Sequence, residues 1–188
     1  MSMKKYAALV ILLISALVST ACSSDSEPAT NAGDEHNAAD VTFATGMIPH
    51  HQQAIEMADM ALEQAQDPQV VELATQIKAA QQPEIDQLTE WLTAWDEPVP
   101  SDSAGAHSGH DMSGMMSAED MQMLQQASGT EFDTMWLEMM IEHHKGAVEM
   151  AQTEQSEGEY SDAVEMAEQI ITSQQEEIDQ MEQLLATS

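Results

Sequence analysis

Apolar residues recur at intervals of three and four along four long stretches of the chain, a spacing that predicts amphipathic helices. The clearest stripes lie on the second stretch (Val70, Leu73, Ala74, Ile77, Ile85, Leu88, Leu92) and on the fourth (Val164, Met166, Ala167, Ile170, Ile178, Met181, Leu185). Alternation of apolar and polar residues, which is typical of half-buried strands, is absent from the sequence. The pattern therefore predicts an all-α protein.

The four stretches form two related pairs. Residues 47–58 and 140–151 are identical at eight of twelve positions, and the same offset of 93 aligns the residues that follow without a gap. This is an internal duplication, in which each copy reads as a helical hairpin. Neither hairpin can bury its apolar stripe alone, so we expect the two to pack as an antiparallel four-helix bundle.

The bundle is predicted over residues 39–188, with repeat one at 40–95, a linker at 96–130 and repeat two at 131–188. A short helix is expected within the linker, from about Ala118 to Ala127. Residues that favour helix ends mark the expected boundaries: Asp40, Asp67 with Pro68, Ser117 with Asp120, Thr130 with Asp133, and Gly158.

The N-terminus resembles a secretory signal peptide over residues 1–22. Lys4 and Lys5 precede an apolar run that is short for a membrane span, and small residues lead to Cys22. The sequence Ser-Thr-Ala-Cys resembles a bacterial lipobox, although Ser19 stands where Leu or Val is commoner. We favour lipidation of Cys22 over an ordinary signal peptide with a chance cysteine, because the only cysteine of an exported chain cannot form an internal disulfide.

Residues 23–38 are small and polar, which predicts a flexible tether between the lipid and the bundle. The expected location is therefore outside the cytoplasm, either anchored to the outer face of the cytoplasmic membrane or held in the periplasm or cell envelope. The lipid is the only membrane contact that the sequence predicts.

Removal of the signal peptide leaves Lys78 and Lys145 as the only cationic side chains against 34 acidic ones, a formal charge of −32. Such a surface excludes nucleic acid as a partner, because the phosphates would be repelled. It favours solubility and concentrates cations around the protein, without selecting a particular metal.

A helical wheel drawn at about 100° per residue places His50 and His51 on the inward side of the first helix, together with Met47 and Met57. Glu56 falls on the opposite side, towards water. The second copy carries the equivalent inward residues: Met140, His143, His144 and Met150. Packing of the two hairpins about a pseudo-twofold axis should bring both His pairs to one region of the interior.

A single buried histidine is usually a hydrogen-bonded core residue, but four imidazoles in a small core leave many ring nitrogens in need of partners. We therefore interpret the His pairs as metal ligands. The four methionines are weaker candidates, because thioethers also fill irregular cores well.

The linker offers a second candidate site, in a Gly/Ser-rich stretch without helical periodicity: His107, His110, Met112, Met115 and Met116. Methionine in such a loop gains little from core packing. Thioether and imidazole together favour Cu(I), with Cu(II) and Zn(II) as alternatives at the imidazoles. The alternative to a copper-capturing loop is a disordered segment with chance Met and His residues.

Signatures of catalysis are missing from the sequence. A ferritin-type di-iron centre uses Glu-x-x-His on two helices, but Met or Ile stands three residues before each histidine of the two pairs. The chain also lacks an HExxH motif and a Gly-rich phosphate loop, and no cysteine nucleophile follows Cys22. We therefore expect that the protein is not an enzyme.

These motifs resemble the bacterial family known as domain of unknown function 305, with the pattern Met-Ile-x-His-His-x-x-Ala-(Ile/Val)-x-Met-Ala and a tail of Gln-x-x-Glu-Ile-x-x-Met-x-x-Trp-Leu. The resemblance covers about residues 38–95 and 112–188. It implies a ferritin-like four-helix bundle, commonly exported, with copper binding and copper tolerance in some members. Leu184 replaces the Trp of the second tail and Pro83 interrupts the first, and neither departure touches the His pairs.

The predicted function is that of an exported, non-catalytic lipoprotein that sequesters copper or passes it to a copper-handling protein. The first alternative is a metal-independent helical interaction module, in which the His pairs contact a partner or support the core. The second is a cuprous oxidase, which needs a copper position that oxygen can reach.

Overall fold

The computed structural model describes residues 35–100 and 113–187, and in this part of the chain it contains five α-helices and no strand. In chain order the helices are α1 (Ala38–Gln64), α2 (Pro68–Ala94), α3 (Ala118–Gln126), α4 (Thr130–Glu157) and α5 (Ser161–Thr187). The predicted all-α bundle is confirmed. The predicted signal peptide, Cys22 and most of the tether lie outside the described residues.

Two predicted helix starts are confirmed and follow local sequence signals. Asp67 caps α2 by accepting a hydrogen bond from the amide of Gln69 at 2.8 Å, and Pro68 is the first helical residue. Ser117 and Asp120 form the predicted capping box of α3. The α2 helix continues through Pro83 without interruption, and Gly158 follows the last residue of α4 as predicted.

Two other predicted caps are wrong. The α1 helix begins after Asn37, whose side chain accepts hydrogen bonds from the amides of Ala39 and Asp40, so Asp40 already lies within the first turn. The α4 helix begins after Gly129, which has a φ of 66° and no side chain to form a cap, and Thr130 is helical from the start. Asp40 still helps to cap α1, because its carboxylate accepts a hydrogen bond from the amide of Asn37 at 2.6 Å, whereas Asp133 binds a distant turn.

Asp40 and Asp133 each bind the helical turn of the opposite hairpin. The Asp133 carboxylate accepts hydrogen bonds from the backbone amides of Gln66 and Asp67, at 3.0 and 2.9 Å, in the α1–α2 turn. Asp40 accepts one from the amide of Tyr160, at 3.0 Å, in the α4–α5 turn. The offset of 93 relates the two contacts, so each hairpin binds the turn of the other in an equivalent, pseudo-twofold way.

Two hydrophobic clusters fill the bundle, and all four long helices contribute to each. The Trp136 cluster occupies the end formed by the α1–α2 turn and is extended by α3; the Phe43 cluster occupies the end formed by the α4–α5 turn. The hairpins meet mainly through α1 and α4. Within the described ranges, no helix has the length and apolar character needed to cross a membrane.

Candidate metal centre

A layer of buried polar side chains separates the two hydrophobic clusters at the middle of the bundle. We call its four histidines, His50, His51, His143 and His144, the histidine layer. All four side chains have no exposed surface. The inward orientation predicted by the helical wheel is therefore correct for both pairs, and Glu56 is exposed as predicted.

The two hairpins meet at His50 and His143, whose ring centroids lie 3.8 Å apart with the ring planes tilted by 41°. Burial, followed by the neighbouring imidazoles of His51 and His144, lowers the pKa of His50 to about 3. Burial and the other three histidines hold the pKa of His143 well below its ordinary value. Both rings are therefore neutral at physiological pH, as metal ligation requires.

The other two histidines each contact a carboxylate. His51 Nε2 lies 2.6 Å from Glu84 Oε2, and His144 Nε2 lies 2.7 Å from the equivalent Glu177 Oε2. An ionised carboxylate can only accept a hydrogen bond, so each Nε2 carries a proton. In the neutral form of each ring the lone pair then lies on Nδ1, in the arrangement that carboxylate partners impose on metal-binding histidines.

At His50 a backbone carbonyl is the hydrogen-bond acceptor. The His50 Nε2 lies 3.2 Å from the carbonyl oxygen of Ser113, which also can only accept. Five ring nitrogens of the layer are left without any hydrogen-bond partner: Nδ1 of His50, His51 and His144, and both nitrogens of His143. One nitrogen of neutral His143 carries a proton, so these five nitrogens provide four lone pairs. Buried polar atoms are nearly always paired, so this group of unpartnered nitrogens fits a set of metal donors.

Two glutamines add to the polar layer. Gln81 and Gln174 are 3% exposed and occupy equivalent positions, one helical turn before Glu84 and Glu177. Both side-chain atoms of Gln81 and the Oε1 of Gln174 have no partner. Their carbonyl oxygens are potential donors to a bound ion or to its water.

The donors are close but not yet arranged around a common point. Within residues 35–100 and 113–187, no three His, Cys, Asp or Glu side chains converge as a ready-formed cation site. Since the unpartnered nitrogens lie on four neighbouring rings, sharing an ion requires the rings to turn about their side-chain torsions. The histidines supply the donor atoms, and the site forms only when these atoms move to a common point around the ion.

The structure places the predicted methionine ligands within or against the flanking clusters. Met57 and Met140 are fully buried in the Trp136 cluster, and Met47 is fully buried in the Phe43 cluster. Met150, predicted to point inward, is only half-buried against the Phe43 cluster. Its role as an inward ligand is weakened accordingly, and packing explains the position of the others.

Only part of the predicted linker site lies within the described residues. His107, His110 and Met112 lie outside the described residues. Met115 and Met116 are half-buried at the point where the linker rejoins the bundle, and Met116 packs against the Trp136 cluster. The copper-capturing loop stays a prediction.

Glu84, Glu177 and Ser113 were missed by the sequence analysis. A signal existed for the two glutamates, because both belong to the Glu-Ile-Asp-Gln segment that the duplication repeats. Their relation to the histidines depends on how α2 packs on α1, which helical periodicity does not determine. No comparable signal exists for Ser113, which acts through its backbone.

Known proteins resemble this chain in sequence and in fold. A DUF305 protein of Streptomyces coelicolor, assigned as secreted, superposes with a TM-score of 0.72 at 33% identity, covering 79% of this chain and 93% of that one. CopM in its Cu(II)-bound form superposes with a TM-score of 0.69 at 37% identity, covering 79% and 96%. CopM structures with Cu(I) and with silver are similar to this chain as well.

A curated relative, the uncharacterized protein L153 of Acanthamoeba polyphaga mimivirus, is 40% identical over 53 residues, which are 28% of this chain. The match spans about a third of the length of that relative. The family model described as domain of unknown function (DUF305) matches residues 40–185, which include both hairpins and the whole histidine layer. The chain belongs to the DUF305 family.

Proposed function

We propose that this protein binds copper in the histidine layer and holds or passes on the ion outside the cytoplasm. The observation that carries the proposal is the group of five unpartnered ring nitrogens in a fully buried layer. Leaving such atoms unpaired costs roughly 1–3 kcal/mol each, and an ion bound by several of them would recover that energy.

The choice of copper rests on the chemistry of the donors and on the relatives. Neutral imidazoles suit Cu(I), Cu(II) and Zn(II), and the thioethers close to the layer in sequence favour the softer Cu(I). CopM has been solved with Cu(I), Cu(II) and silver, and Ag(I) is a soft ion like Cu(I). We therefore propose Cu(I) as the main cargo, with Cu(II) or Zn(II) as weaker ligands.

We propose a binding role rather than catalysis. All four histidines are inaccessible to solvent, so oxygen or a larger substrate has no open path to the layer in this structure. A cuprous oxidase needs a copper position that oxygen can reach. Oxygen consumption in the presence of Cu(I) above the uncatalysed rate would contradict this part of the proposal.

Export and lipid anchoring also belong to the proposal. The relative from Streptomyces coelicolor is assigned as secreted, and Cys22 ends the signal-like N-terminus. Replacing Cys22 with Ser should move the protein from the membrane fraction to the soluble fraction, because the sequence predicts no other anchor. An unchanged membrane fraction would contradict lipidation.

The binding test compares the wild type with the double variant His50→Ala/His143→Ala, both purified without a His tag. Cu(I) under reducing conditions should raise the melting temperature of the wild type, because an ion present at about 100 times its Kd stabilises the native state by roughly 2.7 kcal/mol. The double variant should fold without metal and show no shift. His36→Ala is the matched control, because His36 lies outside the layer and stacks on Trp95.

A metal-independent interaction module gives the opposite pattern in the same experiment. If the histidines only support the core, the wild type is indifferent to Cu(I), and the double variant melts at a lower temperature through lost hydrogen bonds. Elemental analysis of the purified wild type completes the test: copper binding predicts copper in the protein, and the interaction module predicts none.

A further inference from the structure

The linker rejoins the bundle as a short segment, residues 113–116, that lies across α1 and α4 at the level of the histidine layer. We call this segment the strap. The Ser113 carbonyl contacts His50 Nε2, and the Ser113 hydroxyl donates a hydrogen bond to Glu149 on α4. At its other end, the backbone amide and carbonyl of Met116 are both bound by the Gln53 side chain of α1, at 2.7 and 2.9 Å. The strap is therefore attached to both central helices.

The close approach of the strap to α4 depends on two glycines. A Cβ added at Gly146 would lie 1.9 Å from the Ser113 carbonyl oxygen and 2.8 Å from Gly114 Cα, which is too close for any side chain. Gly114 has a φ of 79°, and a Cβ there would lie 2.6 Å from the Glu142 carbonyl oxygen. Glycine inside a helix costs about 1 kcal/mol relative to alanine, and the docking of the strap explains why α4 carries one.

Docking of the strap breaks the symmetry between the two repeats. The position equivalent to Gly146 in repeat one is Gln53, which is the residue that holds Met116. One equivalent position thus provides space for the strap and the other provides its hydrogen bonds. The strap contacts the His50 side of the layer through the Ser113 carbonyl, and neither ring nitrogen of His143 has a hydrogen bond to the strap.

We propose that the strap is a gate over the histidine layer, which has to leave Gly146 before a Cu(I) or Ag(I) ion enters or leaves. This inference rests on the proposed function of the layer as an ion-binding site. The strap covers the seam between α1 and α4, where the His50 and His143 rings meet. The competing route runs beside Glu84 and Glu177 on the outer helices, whose side chains are 22% and 18% exposed.

The test uses two variants that release the strap at opposite ends. Gly146→Ala displaces the Ser113 end by steric conflict and also favours the α4 helix, so the fold is retained. Gln53→Ala removes both hydrogen bonds to Met116. The matched control is Gln152→Ala, an exposed position on α4 away from the strap.

Gating predicts that both the association and the dissociation rate of Ag(I), followed by stopped flow and by chelator competition, increase in both strap variants. Loss of the two hydrogen bonds at Gln53 should raise each rate about tenfold. The control should match the wild type. Unchanged rates, or faster dissociation with unchanged association, would overturn the gate and favour the route beside the glutamates.

A readout that needs no metal separates failure of the gate from failure of the proposed function. In the protein without metal, modification of His50 and His143 by diethyl pyrocarbonate, measured by peptide mass spectrometry, should be slow in the wild type and faster in both strap variants. His36, which is half-buried outside the layer, serves as the internal reference. Unchanged protection in the variants would overturn the gate, whether or not the wild type binds the ion. A wild type that binds neither Cu(I) nor Ag(I) would overturn the proposed function and the gate with it.

Discussion

The two copies of the duplicated hairpin share the residues of the histidine layer and differ at several positions around it. Both copies provide two buried histidines, one carboxylate partner, one glutamine and one aspartate that binds the opposite turn. Three equivalent pairs differ in a way that the structure explains: Gln53 and Gly146, Ala61 and Glu154, and Phe43 and Trp136. The two copies therefore share the residue types of the layer and differ at positions around it.

The ends of the bundle show this difference most clearly. At the Phe43 end, Glu154 is 1% exposed and its carboxyl group lies beside that of Asp40. Burial and then the interaction with Asp40 raise the pKa of Glu154 to about 8. At the other end Ala61 occupies the equivalent place, so Asp133 binds its turn without an acidic neighbour from that position.

The largest effect is expected from removal of the aspartates that join the hairpins. Asp133→Ala leaves the amides of Gln66 and Asp67 without their partner, which should lower the free energy of unfolding by about 2–4 kcal/mol. Asp40→Ala should cost less, because it also removes the acidic neighbour of Glu154. Urea unfolding measures both, with exposed Glu56→Ala as the control within about 0.5 kcal/mol of wild type. Equal losses would contradict the difference between the two ends.

The second prediction concerns pH. The pKa of Glu154 is raised from 4.5 to about 8 in the folded protein, so its contribution to stability is fully present below pH 4.5 and is lost as the pH rises towards 8. The pKa of Asp40 is lowered: burial raises it, but hydrogen bonds from Glu154 and three backbone amides outweigh burial. Asp40 therefore acts in the opposite direction and only at acidic pH.

Glu154→Gln removes the titration and keeps a hydrogen-bond donor beside Asp40. Relative to wild type, this variant should gain stability between pH 5 and pH 9, by on the order of 1–3 kcal/mol. Urea unfolding at pH 5, 7 and 9 measures the gain, and exposed Glu157→Gln is the control for the general acidity of the protein. A difference that stays constant with pH would show that Glu154 does not share a proton with Asp40.

The third prediction tests the symmetry of the histidine layer. Glu84→Ala and Glu177→Ala each remove the acceptor that keeps the proton on Nε2 of His51 or His144. Loss of such a partner typically weakens metal binding 10- to 100-fold, and the duplication predicts similar losses on both sides. The affinity of each variant for Cu(I), measured by competition with a chelator, tests this prediction. A large loss on one side alone would indicate that only one hairpin supplies the ligands.

Much of the fold and half of the centre follow from the sequence for a physical reason. Helical periodicity fixes which side of a helix is buried, so the inward positions of His50 and His143 were predictable from spacing alone. The offset of 93 then places the two pairs at the same level of the bundle. The duplicated motif identified the family.

The remaining features depend on how distant segments pack together. Asp40 and Asp133 resemble helix caps in sequence, and each also binds a turn more than 60 residues away, because the first-turn position faces the other hairpin. Only Asp40 also takes part in a capping box. Ser113 contacts His50 through a backbone carbonyl, which carries no sequence signal. Gly146 breaks the helical pattern in the sequence, but only the strap reveals why a glycine is needed there.

The smallest effect on ion binding is expected at Trp136, the counterpart of Phe43. The Trp136 side chain is fully buried, and its indole Nε1–H donates a hydrogen bond to the Met57 carbonyl at 2.9 Å, so it ties α4 to α1 in a way that a phenyl ring cannot. Met57 lies inside α1, where its carbonyl also has a backbone partner in the next turn. Trp136→Phe should therefore leave Cu(I) affinity unchanged, while the lost hydrogen bond and the cavity left by the smaller ring should together cost about 1–3 kcal/mol of stability. A loss of affinity in this variant would mean that the contact between α1 and α4 at the Trp136 end, and not the histidine layer alone, sets the geometry of the ion site.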